Sequence, residues 1–181
     1  MTAMLINVTL SKSGIDKAVE KIEQYKSDLR YKLGIFVRRL TDEGYRVINE
    51  KKKNAGEDAD TSFTPVVVIK QSSRNVVRAT LSISGKDVLF VEFGAGVHYN
   101  GSLGSSPNPK GLEFGYFIGS YPGQSHAGDD FWWYTDDSGR RHMTHGTKAA
   151  MPMYSASESI RGHFASIARE VFSTAGGVWS R

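Results

Sequence analysis

The 181 residues include no cysteine, which removes disulfides and thiolate chemistry and fits a protein that folds in a reducing cytoplasm. Stability must therefore come from packing. Long hydrophobic runs are also missing. The longest purely apolar stretches are a few residues, far below the roughly 20 needed to span a bilayer, so a soluble protein is expected. The opening MTAMLINVTLSKSG has a short apolar stretch but neither a basic leader nor a small-residue cleavage site, and it does not read as a signal peptide. Without a secretory route the sequon Asn7-Val8-Thr9 carries no weight. Charge of one sign is lacking too. The net charge is +4 and the pI about 9.2, yet Lys and Arg alternate with Asp and Glu, whereas phosphate binding calls for clustered positive charge. The tightest basic run, Lys51-Lys52-Lys53, falls where a helix is expected to end, and there cations oppose the macrodipole favourably.

The length suits a single domain over residues 1–181. Residues 4–10 suggest a short strand, followed by a loop at 11–14. From Ile15 onward, Ala18, Val19, Ile22, Tyr25, Leu29, Leu33, Phe36, Val37, Leu40, Val47 and Ile48 recur at spacings of three and four, the stripe of one long amphipathic helix. At 35 to 40 residues it would be about 55 Å long, more than a small core needs. Gly34 and Gly44 are places where it could loosen. The polar stretch 54–62, NAGEDADTS, reads as a mobile loop. Three β-branched runs follow, at 66–69, 76–83 and 88–93, separated by S-S-R-N and S-G-K-D turn signals, and they predict an antiparallel meander. In the second run Val77, Ala79, Leu81 and Ile83 alternate with polar residues, so one face should be buried and the other wet.

Residues 94–130 are then rich in Gly, Ser and Pro, which predicts an extended loop. Its aromatics suggest that it packs on the body or on another subunit. An aromatic strand at 131–135, a turn at 136–139 and a strand at 140–144 form a hairpin signal. A last helix is marked by Pro152 in its first turn, by Met153, Ala156, Ile160, Phe164, Ile167, Ala168 and Val171 along one face, and by Gly176-Gly177 beyond it. Residues 176–181 read as a flexible tail. Together these elements predict an α+β fold, an antiparallel sheet flanked by a long N-terminal and a C-terminal helix.

Catalytic signatures fail one by one. His142 and His145 stand three apart, which on a strand places them on opposite faces, and His98, His126 and His163 lack ligand spacing, so no metal site is expected. Asp129-Asp130 and Asp136-Asp137 flank turns, where Asp serves the backbone. Gly94-Ala95-Gly96 lacks the third glycine of a phosphate loop, and no Gly-x-Ser-x-Gly elbow occurs, so no cofactor is expected and the chain is read as a non-enzyme.

Three ordered blocks stand out: V-E-F-G-A-G-V-H-Y at 91–99, F-W-W-Y-T-D-D-S-G at 131–139, and T-H-G-T-K-A-A-M-P-M-Y-S-A at 144–156. In order and spacing, with the long helix before them, they resemble the neck, or tail-completion, proteins of long-tailed bacteriophages. The resemblance covers residues 15–171, although the loop 101–125 is long for such proteins. It implies a virion protein, assembled in the bacterial cytoplasm, that forms a homo-oligomeric ring, with a hexamer expected, between head connector and tail tube. Its partners would be head-closure or connector proteins and tail-terminator or tail-tube proteins, with genomic DNA passing transiently through the lumen and no membrane contact. A head-closure or tail-terminator subunit is the near alternative, and a small DNA-binding module the distant one. Heterologous ring contacts through aromatic loops suit such an assembly. The interface residues implied are Glu92, Phe93, Gly94, Tyr99, Phe117, Tyr121, Trp132 and Trp133, with ordinary core as the competing role for Phe93 and Trp132.

Overall fold

The computed structural model describes residues 9–53, 64–72, 76–85, 88–96, 106, 108–116 and 131–173. It is a mixed helix and sheet protein. Helix α1 covers Lys12–Lys53, β1 Thr64–Ser72, β2 Val76–Ser84, α2 Val88–Phe93, β3 Ala95–Gly96, β4 Trp132–Thr135, β5 Arg141–Thr144, β6 Gly146–Thr147 and α3 Pro152–Ser173. The strands form three two-stranded pairs, β1 with β2, β3 with β6 and β4 with β5. The last two pairs are antiparallel, with Ala95 opposite Thr147 and Trp133 opposite Met143. None of the described helices is long and apolar enough to cross a membrane. Residues 4–8 of the expected strand, the loop at 54–62, most of the segment 94–130 and the tail at 176–181 lie outside the described residues, and Thr9 and Leu10 are not in a strand.

Helix α1 starts earlier than its apolar stripe. Ser11 is its cap: its carbonyl accepts the first helical bond, from the Ile15 amide (2.9 Å), and its Oγ accepts from the Gly14 amide (3.1 Å), a donor that a helix start leaves orphaned. The expected loop at 11–14 is thus the cap and first turn. The helix then runs unbroken through Gly34 and Gly44 to the lysine triplet.

The third β-branched run is not a strand. Val91, Glu92 and Phe93 are buried in succession, which a strand with one wet face cannot achieve. The Gly94 amide instead donates back to the Phe90 carbonyl (2.7 Å), and Gly94 at φ +78° ends the helix as a left-handed cap. A short apolar run leaves helix and strand undecided by periodicity alone. β2 follows the alternation, with Val77, Ala79, Leu81 and Ile83 half-buried between exposed neighbours.

The chain divides into two units. In the first, residues 9–42, 68–80 and 160–173, Phe36 of α1 sits edge-on to Phe164 (5.2 Å) and near Phe172 (5.7 Å) of α3. The Thr41 hydroxyl, buried, returns a bond to the Val37 carbonyl. In the second, residues 43–67 and 81–159, Val47, Ile48, Val91 and Ala156 form a core that Leu81, Ile83, Val88, Ala150 and Met153 complete.

Gly94 is constrained both by its backbone and by its neighbours. A Cβ there would sit 3.1 Å from Ala149 Cβ and 3.2 Å from its amide nitrogen, on a left-handed backbone. Gly139, at φ +81°, faces open space. Gly94→Ala should therefore lower unfolding free energy by about 2–3 kcal/mol and Gly139→Ala by about 1 kcal/mol in urea titrations. Equal losses in the two variants would contradict this account.

Candidate functional site

Helix α3 opens without a capping side chain of its own. Its first residue is Pro152, which has no amide proton, and the residue before it is Met151, held at φ 50°. The exposed amides of the first turn are met from elsewhere in the second unit. The Met153 amide donates to Glu92 Oε2 (2.8 Å) and the Tyr154 amide to Glu92 Oε1 (2.9 Å). One residue earlier, the Val91 carbonyl accepts from Ala150 (2.8 Å) and Met151 (3.2 Å). A buried carboxylate thus does at long range what Ser or Asp ordinarily does locally, and its charge also answers the positive end of the helix dipole.

Asn108 completes this arrangement. Its amide Nδ2 donates to Glu92 Oε1 (2.9 Å) while its Oδ1 accepts from the Lys110 amide (3.0 Å), and the residue is buried. Ser106 Oγ donates to the Phe93 carbonyl. Beside it Phe93 stacks on Tyr116 at 4.6 Å and approaches Phe114 at 5.4 Å. Burial pushes the Glu92 carboxyl above the usual carboxylate range, and the bonds from Met153, Tyr154 and Asn108 pull it back only in part. Committed to three protein donors, this carboxylate is a structural keystone and not a free base.

The hairpin β4–β5 has two unlike faces. Trp132 points inward, buried against Ala95 with Phe90 and Tyr116 around it. The opposite face carries Phe131, Trp133, Thr135, Arg141, Met143 and His145, all exposed, with Phe131, Trp133 and Met143 between 46% and 52% open to solvent. The Arg141 guanidinium lies 5.4 Å from the centre of the Trp133 ring, a cation–π contact. The turn beneath is fixed by Asp136. It accepts from the Ser138 amide and hydroxyl, from the Arg140 amide and from His142 Nε2 (2.8 Å), and these bonds, that of the Ser138 hydroxyl first, hold its carboxyl well below the usual range.

Of the residues singled out for an interface, Glu92, Phe93, Gly94 and Trp132 gather in the interior of the second unit, and Trp133 stands on its surface. Tyr99, Phe117 and Tyr121 lie outside the described residues. Asn108 and Met143 carry no sequence signal of their own, whereas Phe131 and Tyr116 fall in the aromatic strand and the aromatic-bearing loop that the sequence predicts. Strand alternation puts Phe131 on the face of Trp133, and only the observed register brings Met143 beside it, while nothing local marks Asn108 as the partner of a residue 16 positions away. Among the described residues no group of three His, Asp or Glu is placed to hold a metal ion. Compared with protein-family models, curated proteins and solved structures, the chain matches none of them.

The keystone is testable. Glu92→Ala strands two helix amides and the Asn108 side chain, and should cost about 3 kcal/mol, with faster hydrogen exchange at Met153 and Tyr154. A carboxyl whose folded pKa is raised contributes most to stability below the usual carboxylate range and loses that contribution as pH rises through its folded value. Urea stability of the wild type should accordingly fall relative to Glu92→Gln across that interval. Parallel pH curves for the two proteins would refute the buried-carboxyl assignment.

Proposed function

We propose that the chain is a structural virion protein of a tailed bacteriophage, a neck or tail-completion protein that forms a ring of about six copies at the head-to-tail junction and lets DNA through its lumen. It acts by assembling and not by catalysis, joining the head connector to the tail tube. With this reading goes the family architecture, one antiparallel sheet flanked by the two helices with an extended Gly-rich loop over 94–130.

The observation that carries the proposal is the outer face of β4–β5. A pinned two-stranded ribbon holds Phe131, Trp133 and Met143 in water beside Arg141, and aromatic, Met and Arg side chains are the residues enriched at protein interfaces. Leaving them uncovered forgoes roughly 25 cal/mol for each Å² of apolar surface. Support also comes from the three sequence blocks behind the resemblance. Val91 and Glu92 of the first block hold Ala150, Met151, Met153 and Tyr154 of the third, and Trp132 of the second packs on Ala95 of the first.

The expected result is a closed ring in negative-stain images of the isolated protein, or of the protein mixed with portal or tail-tube complexes, with light scattering giving its copy number. Trp133→Ala, which leaves Trp132 and the core in place, should weaken ring formation about tenfold or more without changing the melting temperature. Heads and tails that join normally in a phage lacking this gene would sink the proposal.

A further inference from the structure

The first half of α1 presents a second apolar surface, in the first unit. Ile15, Val19, Ile22, Tyr25 and Leu29 are all between 38% and 53% exposed, although they lie on one face of a well-formed helix. Three of them share a seven-residue repeat with Phe36. That fourth member is covered by Phe164 and Phe172 of the chain's own α3, while Ile15, Ile22 and Leu29 remain open. In heptad terms these four are the a positions, Ala18, Tyr25 and Lys32 are d, Lys21 and Asp28 are g, and Val19 and Lys26 are e.

The flanking charges say what such a seam would accept. In a parallel pair of two copies, each g residue meets the e residue five places on in the partner, which sets Lys21 against Lys26 with like charge. In an antiparallel pair g meets g and e meets e. Stacking Ile22 on Tyr25 of the other copy and Ala18 on Leu29 then sets Lys21 opposite Asp28 on one side, and Val19 opposite the aliphatic stem of Lys26 on the other. By two-fold symmetry every contact occurs twice. Lys21 has no ion pair among the described residues, whereas Asp28 is held by Lys32 at 3.2 Å within the chain, so the partner's Lys21 would approach a carboxylate already positioned.

We propose that residues 15–32 of α1 are a self-complementary seam through which two copies of this chain pair antiparallel. The contact is isologous and closes on itself. It is separate from the ribbon on β4–β5 and stands whether or not the ring does, because Trp133→Ala leaves it untouched.

The seam is tested on the full-length protein by sedimentation equilibrium over a range of concentrations, with Trp133→Ala as background so that only this contact is read. A concentration-dependent dimer is expected. Ile22→Glu, at an exposed position that the fold does not need, should raise its dissociation constant at least about tenfold with unchanged helical circular dichroism. Lys21→Asp alone and Asp28→Lys alone should each weaken it, and the double exchange Lys21→Asp/Asp28→Lys should restore it. Because the chain has no native cysteine, orientation can be read directly. Mixed Ile15→Cys and Lys32→Cys chains should form a disulfide with each other, and Ile15→Cys alone should not. A self-disulfide of Ile15→Cys, a dimer indifferent to Ile22→Glu, or a monomer at every concentration overturns the proposal. So does a monomer that binds anionic phospholipid vesicles through the same residues.

Discussion

The second unit depends on one carboxylate. Glu92 is withdrawn from water at some cost to its charged form, and three hydrogen-bond donors offset part of that cost. Two of them are the first free amides of α3, so a residue in the last turn of one short helix caps the start of another. The third, Asn108, ties in the turn that Ser106 and Tyr116 also hold against Phe93. Remove the carboxylate and the Met153 and Tyr154 amides and the Asn108 Nδ2 lose their acceptor together, a loss larger than any single contact among them suggests.

Around that point the aromatic residues split by role. Phe93, Trp132 and Tyr116 are turned inward and pack on one another or on Ala95, whereas Phe131 and Trp133, one residue to either side of Trp132, are turned out. Adjacent residues of a strand must face opposite ways. The run F-W-W therefore cannot be all core: the ring of Trp132 is buried in the chain itself, and those of Phe131 and Trp133 stand in water. The first half of α1 exposes aliphatic side chains in the same way.

Much of this could be read before any coordinates. Periodicity locates α1 and α3, and the D-D-S-G turn with its aromatic flank locates the β4–β5 hairpin, whose register, Thr135 opposite Arg141, only the structure gives. Asp136-Asp137 was assigned to the turn, and Asp136 does bond the backbone of Ser138 and Arg140. The errors have physical causes. Ser11 was placed in a loop because its capping role depends on an amide three residues on. The 88–93 run reads as a strand because its four Val and Phe residues favour one while so short an apolar run suits either structure, and only burial of three in succession decides between them. The carboxylate of Glu92, a residue the sequence marks for an interface, is turned inward onto the start of α3.

What the sequence determined by itself is what travels along the chain: the helical stripes, strand alternation, turn residues, and the absence of thiols and clustered charge. These depend on neighbours within a few positions, and local sterics and hydrogen bonding are enough to specify them. Tertiary structure decided what depends on residues far apart. Glu92 lies 61 positions from Met153 and 16 from Asn108, and no local pattern encodes that a carboxylate will meet a helix start that lacks a cap of its own. Which apolar residues stay exposed was settled in the same way, because a stripe on α1 looks identical in sequence whether α3 covers it, as at Phe36, or leaves it open, as at Ile22.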